Sequence, residues 1–211
     1  MTAFINNDFQ DIVLNRKSIR RYDENVKISR EEMLTMLDEA NRAPSSVNLQ
    51  PWRYVVVDTN EGKEQLRPFI RFNQLQNDTS AAMILIFGDR KNYEYGKEIY
   101  GAALNAGLMP QEVHDRQLAT IIPHYQNLSL NEMDNVILRD ASLAAMQLML
   151  VARAHGYDTN AIGGFEAENL AETFDLEKER YLPVLILSIG KAAESGYQSV
   201  RLSADKLTTF K

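Results

Sequence analysis

Cysteine is absent from this chain of 211 residues. Disulfides, thiolate metal sites, iron–sulfur clusters and a cysteine nucleophile are excluded together. The absence also agrees with a reducing compartment. Histidine is scarce: His114, His124 and His155 are spread out, and no pair has the helical spacing of a metal site. No G-x-G-x-x-G follows a strand, Gly96-Lys97 runs into Glu98 without Walker spacing, and no G-x-S-x-G elbow occurs. If the chain is an enzyme, a bound organic cofactor carries the chemistry.

Positive charge is in deficit. A formal net charge of −6 disfavours a nucleic-acid partner, yet leaves room for a small phosphorylated ligand at a local basic cluster. Long apolar runs are lacking too. The longest, from about Ala141 to Ala154, is short and interrupted by Gln147 and Arg153, so no membrane span is expected. Met1 to Leu14 carries Asp8 and Asp11 and no apolar core, so no secretory signal is expected and the location is read as cytoplasmic. Hydrophobic residues at 45% and charged residues at 25% are ordinary for a folded chain, which reads as one domain over 1–211.

Ser29 followed by Glu32 has the form of a capping box, and Met33, Met36, Leu37 and Ala40 then share one helical stripe that ends before Pro44. Tyr54–Val57, Met83–Phe87 and Pro183–Ile189 read as buried strands, the last ended by Gly190. Val136–His155 reads as a long helix, apolar on most of its circumference, with Gly156 just past its end. Such a helix belongs in a core or a subunit interface. Strands and helices mix without a βαβ rhythm, which favours an α+β or three-layer fold. Residues 91–132 carry weak helical patterns between glycines and prolines and are read as a lid or channel wall. The tail over 192–211 has little to bury against itself and is expected to pack on another surface.

Three motifs remain. Arg16-Lys17-Ser18-Ile19-Arg20-Arg21 places four cations in six residues of an acidic protein. Arginine forks suit phosphate oxygens, and Ser18 adds a neutral donor; a solvated face after a helix is the alternative. Arg42 to Tyr54 runs from a helix end through Pro44-Ser45-Ser46-Val47-Asn48-Leu49-Gln50-Pro51 to the only tryptophan, Trp52. Its polar side chains suit the edge of a heterocycle, although such residues are also ordinary in connections. Ala161-Ile162-Gly163-Gly164-Phe165 lets backbone approach a ligand, or makes a plain turn.

Taken in order, RKSIRRY, RAPSSVNLQPWRYVVV, AIGGF and the late SVRL resemble the nitroreductase family of flavoproteins, from about Arg16 to Leu202. The resemblance implies an α+β, three-layer α-β-α sandwich that forms an interlocked homodimer, with the 192–211 extension on the partner and two FMN sites at the interface. It implies that Arg16, Lys17, Ser18 and Arg20 contact FMN from one subunit, with Arg16 and Arg201 at the phosphate. Pro44, Ser45, Ser46 and Asn48 come from the other subunit. Ile162, Gly163 and Gly164 lie against the isoalloxazine, and Asn73 (or its neighbour Gln74) lies beside the ring. Two residues take the chemical roles: Arg20 stabilises charge at the flavin pyrimidine edge, and Gly163 directs a backbone N–H at N5. NADH or NADPH would be the donor and a nitroaromatic, quinone or related small molecule the acceptor, in ping-pong turnover. A specialised enone or quinone reductase, or a non-catalytic flavin- or partner-binding protein on the same scaffold, are the alternatives. The chain departs from the family pattern at Ser199, where a lysine is common, at Gly163, where some members carry glutamate, and at Gln76 and Asn77, near which some carry a basic residue.

Overall fold

The computed structural model describes residues 4–211, so the first three residues of the Met1–Leu14 segment lie outside the described part. In chain order the elements are α1 Phe9–Asn15, α2 Arg30–Ala40, β1 Trp52–Val57, α3 Asn60–Leu66, α4 Gln74–Thr79 and β2 Ala82–Asp89. Then follow α5 Gly96–Asn105, α6 Gln111–Gln126, α7 Leu130–Ala154, β3 Asp158–Ile162, α8 Leu170–Thr173, β4 Tyr181–Gly190 and α9 Ala204–Leu207. The strands form one antiparallel sheet in the order β1-β2-β4-β3.

Strand β2 is buried along its whole length because both faces of the sheet are covered. Alternation sorts its side chains. Ala82, Ile84 and Ile86 meet Met36 and Leu37 of α2 and Ala141, Ala144, Ala145 and Leu148 of α7. Met83, Leu85 and Phe87 meet Leu66, Ile70, Leu170 and Ala171 on the opposite side. The result is the expected α+β, three-layer arrangement. A bulge opposite Ile86 and Phe87 shifts the β2–β4 register by one residue.

Helix α7 starts six residues before the expected Val136. Its first two turns are mostly polar, with Met133 buried one turn before Ile137, and Ser129 and Glu132 make a reciprocal capping box, with Ser129 N–H donating to Glu132 Oε2 at 2.8 Å. At the other end Gly156 adopts φ +81°, and Tyr157 N–H and Gly156 N–H donate to the Ala152 and Arg153 carbonyls. By length and composition alone this 25-residue helix could cross a bilayer, unlike the shorter run expected from 141–154. One side of it lies on the sheet, and it buries the carboxylate of Asp140.

The box expected at Ser29 forms only in half. Ser29 Oγ accepts from Glu32 N–H at 3.1 Å, but Glu32 Oε2 accepts from Tyr157 Oη instead of reaching back. Strand β3 was not expected, since Asp158, Thr159 and Asn160 have weak strand preference; its pairing with β4 supplies what local preference lacks. Residues 91–132 resolve into α5 and α6, with a small cluster around Tyr100, Tyr125 and Ile137 beneath them.

Glycine at position 88 sets how closely α7 approaches the sheet. A Cβ there would stand 1.8 Å from Ile137 Cγ2. Gly88→Ala should destabilise by about 1–3 kcal/mol through overpacking, and Ile137→Ala by about 2–5 kcal/mol through a cavity. The double variant should cost clearly less than their sum, because each change relieves the other. Urea unfolding of all four forms measures this; strict additivity would contradict the contact.

Candidate functional site

The basic segment is held by its two apolar residues. Ile19 and Tyr22 are 3% and 2% exposed. Ser18 bridges Thr159 of β3, Ile19 N–H donates to the Thr159 carbonyl at 3.1 Å, and Tyr22 Oη meets Ser188 Oγ at 2.7 Å. Burial pushes the Tyr22 phenol's pKa far up, so it stays protonated. With those anchors fixed, Arg16, Lys17, Ser18 and Arg20 line one cavity of about 310 Å³ together with Tyr197, Gln198, Ser199 and Arg201.

Among the described residues none of Arg16, Lys17, Arg20 and Arg201 takes part in an ion pair. Lys17 Nζ donates to the Ser195 carbonyl at 3.2 Å, and Arg201 Nη1 to Ser199 Oγ at 2.8 Å. The Arg20 guanidinium stands 4.9 Å from the Tyr197 ring centre, and its backbone N–H donates to Glu194. Four unpaired cations and a hydroxyl around one cavity fit a phosphate group. Tyr197, Gln198 and Glu194 were not anticipated. They enter because the chain after β4 folds back beside residues 16–20, and nothing local in their sequence announces it.

The loop over 44–50 is held separately. Val47, Asn48 and Gln50 have φ of 46°, 58° and 46°, a left-handed conformation that is costly for non-glycine residues and most of all for β-branched valine. Ser46 donates twice to Asp140 of α7, from N–H to Oδ2 at 2.8 Å and from Oγ to Oδ1 at 3.0 Å. Tyr100 of α5 donates to the Val47 carbonyl at 2.8 Å. Ser45 Oγ accepts from Gln50 N–H, and Asn48 Oδ1 from Gln50 Nε2. Pro44 is exposed. Burial raises the Asp140 carboxyl above the usual carboxylate range, and the two bonds from Ser46 partly oppose it.

Asp140 was overlooked because it precedes the apolar run. Its clue was visible: Ile137, Asp140, Ala141 and Ala144 share one buried stripe, and a carboxylate there needs a partner.

The far end of this loop rests on a second buried carboxylate. Asp89 is fully buried; it accepts from Arg180 at 2.8 and 2.9 Å, from Lys91 N–H at 2.8 Å and from Arg53 at 3.3 Å. Arg53 also donates to the Gln50 and Trp52 carbonyls at 2.9 and 2.7 Å, with its guanidinium 4.4 Å from the Tyr95 ring centre.

Ile162 ends β3 with its side chain in the core, so only its backbone is free to meet a ligand. Gly163 and Gly164 are exposed and outside the left-handed region, and a Cβ on either would meet nothing within 4 Å. That leaves an open face on which a planar ring fits. Glu166 N–H donates to the Phe69 carbonyl at 2.8 Å and Glu166 pairs with Arg71, which ties this turn to the one before Asn73. Asn73 heads α4, with Oδ1 accepting from Gln76. Gln74 is spent internally: its amide donates to the Arg67 and Ile70 carbonyls and accepts from Arg67.

One chain therefore gathers the basic segment with Arg201, ties the Gly-Gly turn to the Asn73 turn, and props the 44–50 loop on α5 and α7. Fold and cavity together define an α+β protein that presents a cation-lined pocket beside the edge strand β3. The chain belongs to the nitroreductase family, whose model matches residues 13–191. A Bacillus subtilis relative, "Putative NAD(P)H nitroreductase YdgI", is 56% identical over 205 residues, covering 97% of this chain and 98% of its own. "CLA biosynthesis enone reductase" of Lactiplantibacillus plantarum is 39% identical over 207 residues, covering 98% of this chain and 95% of its own. A crystal structure from Exiguobacterium sibiricum 255-15, described as a putative nitroreductase in complex with FMN, superposes with TM-score 0.95 at 53% identity, covering 100% of each chain.

Proposed function

We propose that this chain is a cytoplasmic, FMN-dependent oxidoreductase that passes electrons from NADH or NADPH to nitroaromatic, quinone or related oxidised acceptors. The observation that carries the reading is the cavity where Arg16, Lys17, Ser18, Arg20 and Arg201 converge in a member of this family. The FMN-bound structure at 53% identity and the relative named for NAD(P)H support the cofactor and the donor. The relative named as an enone reductase favours a second acceptor class, an activated carbon–carbon double bond.

When bound, FMN supplies electron transfer between the donor and the acceptor. The chain's residues supply position and charge. Arg16, Lys17, Ser18 and Arg201 hold the phosphate. Arg20, its backbone N–H held by Glu194 and its guanidinium beside Tyr197, would set a cation at the flavin's pyrimidine edge, where a cation favours the reduced form. Ile162, Gly163 and Gly164 offer backbone along the ring, and Asn73 lies beside it. Donor and acceptor occupy the same place in turn, which gives ping-pong kinetics.

The working unit is an interlocked homodimer in which Pro44, Ser45, Ser46 and Asn48 complete the site from the other subunit. Two apolar surfaces support it. Leu138, Leu143 and Met146 stand exposed on α7, and Tyr197, Val200, Leu202, Leu207 and Phe210 stand exposed along the tail. Apolar exposure on this scale marks an interaction surface. The 192–211 extension packs on the partner, and residues 91–132 form a wall of the acceptor site.

The absorbance of the purified protein under anaerobic NADH and NADPH tests the reading, with light scattering on the same sample. A flavin spectrum bleached by either donor, on a dimer, is expected. A bound flavin that neither donor bleaches points to the non-catalytic alternative, and an FMN-loaded monomer contradicts the shared site. Arg16→Ala should weaken FMN by roughly 1.5–3 kcal/mol, the worth of a charged hydrogen bond, in a fluorescence titration. Unchanged affinity would remove Arg16 from the phosphate site.

Gly163→Ala separates a ring contact from a plain turn. Its backbone needs no glycine and its Cβ meets open space, so the melting temperature should hold. Reduction of bound FMN in stopped flow should slow on the order of 10²-fold if the new methyl displaces the ring by about 1 Å. Normal reduction rates would leave the glycine pair a turn and nothing more.

A further inference from the structure

The 45–50 loop holds a conformation its own residues do not favour. Three non-glycine residues take positive φ within four positions, one of them β-branched. An L-residue in the left-handed region is disfavoured by the contact of its Cβ with the backbone, so a free loop would relax. Two side chains from distant elements prevent this. Asp140, 94 residues away in sequence, accepts from both the N–H and the hydroxyl of Ser46. Tyr100 captures the Val47 carbonyl immediately beyond.

We infer that Asp140 is a positioning residue for the cofactor: its buried carboxylate locks Ser46, and through Ser46 the strained Val47–Asn48 turn, in the shape that meets FMN. The inference rests on the FMN reading above. A carboxylate suits the task because one group has two oxygens to receive two donors at once, and bonds to a charged acceptor are stronger than neutral ones. Helix α7 suits it because Asp140 is 4% exposed, between Ile137 and Ala141 on the stripe packed in the core, so the anchor itself does not move. The phosphate cavity shares no residue with this clamp. Loss of Asp140 therefore damages recognition of the whole cofactor while leaving phosphate recognition intact.

The test compares FMN affinity by fluorescence titration with inorganic phosphate affinity by calorimetry, on the full chain and its variants. Asp140→Ala should weaken FMN by about tenfold or more, shift the absorbance bands of the flavin that still binds, and leave phosphate affinity unchanged. Arg16→Ala should weaken both ligands. Asparagine tolerates the left-handed region, so Val47→Asn in the Asp140→Ala background should recover about threefold to fivefold of the lost FMN affinity. A role confined to holding the fold would lower the melting temperature, weaken both ligands together and show no such recovery; that pattern overturns the proposal. Unchanged FMN affinity in folded Asp140→Ala overturns it as well. Should Asp140→Ala fail to fold, Asp140→Asn, which keeps the shape of the clamp and removes its charge, carries the same comparison with smaller losses expected. Failure of the unmodified chain to bind FMN would instead overturn the functional reading from which the inference starts.

Discussion

Asp89 stands at the end of β2, the strand buried along its whole length, and its carboxylate has no access to water. A buried charge of this kind is tolerated only when every oxygen is satisfied, and removing a partner from such a cluster typically costs about 3–5 kcal/mol. Satisfying it recruits the residues on both sides of β2. Arg53 comes from β1 and Arg180 from the residue before β4, so the ends of three neighbouring strands are fastened at one point. The same Arg53 reaches the Gln50 carbonyl, and so the cluster that fastens the sheet also fixes where the 44–50 loop leaves it.

Both halves of the candidate site follow one design. A polar, exposed segment is attached through a few buried or half-buried anchors. For residues 16–21 the anchors are Ile19 and Tyr22 beside β3 and Ser188. For residues 44–50 they are Asp140, Tyr100 and Arg53. The Gly-Gly turn is fastened through Glu166 to the Phe69 carbonyl. Under the proposed function, anchoring the backbone of the basic segment beforehand reduces the freedom lost when a phosphate binds.

Much of the α layer and of the sheet was legible because burial on both faces leaves an obvious record. Met83–Phe87 and Pro183–Ile189 are apolar but for Ser188 and are each followed by glycine, and Met33, Met36, Leu37 and Ala40 repeat with the helical period. The site motifs were legible through their order along the chain, since the clustered arginines, the Pro-Ser-Ser-Val-Asn run and the Gly-Gly pair each have an ordinary reading when taken singly. What escaped had no local signature. Strand β3 begins Asp-Thr-Asn, the first two turns of α7 are mostly polar, and Glu32 turned to Tyr157 instead of its own helix end.

Composition, periodicity and the ordered motifs by themselves determined the α+β class, the family resemblance and the residues offered to a cofactor. These depend on side-chain chemistry and on spacing along the chain, and both are written in the sequence. Tertiary structure alone decided that Tyr197 and Gln198 wall the cavity that Arg201 shares with Arg16, Lys17, Ser18 and Arg20. It alone decided that Asp140 holds Ser46, that Asp89 joins three strands, and that Gln74 is spent on Arg67 and Ile70. The physical reason is common to all of them. A buried polar group must find a partner, and which partner lies within about 3 Å depends on how distant segments pack. The residue's own neighbourhood in the chain does not record that.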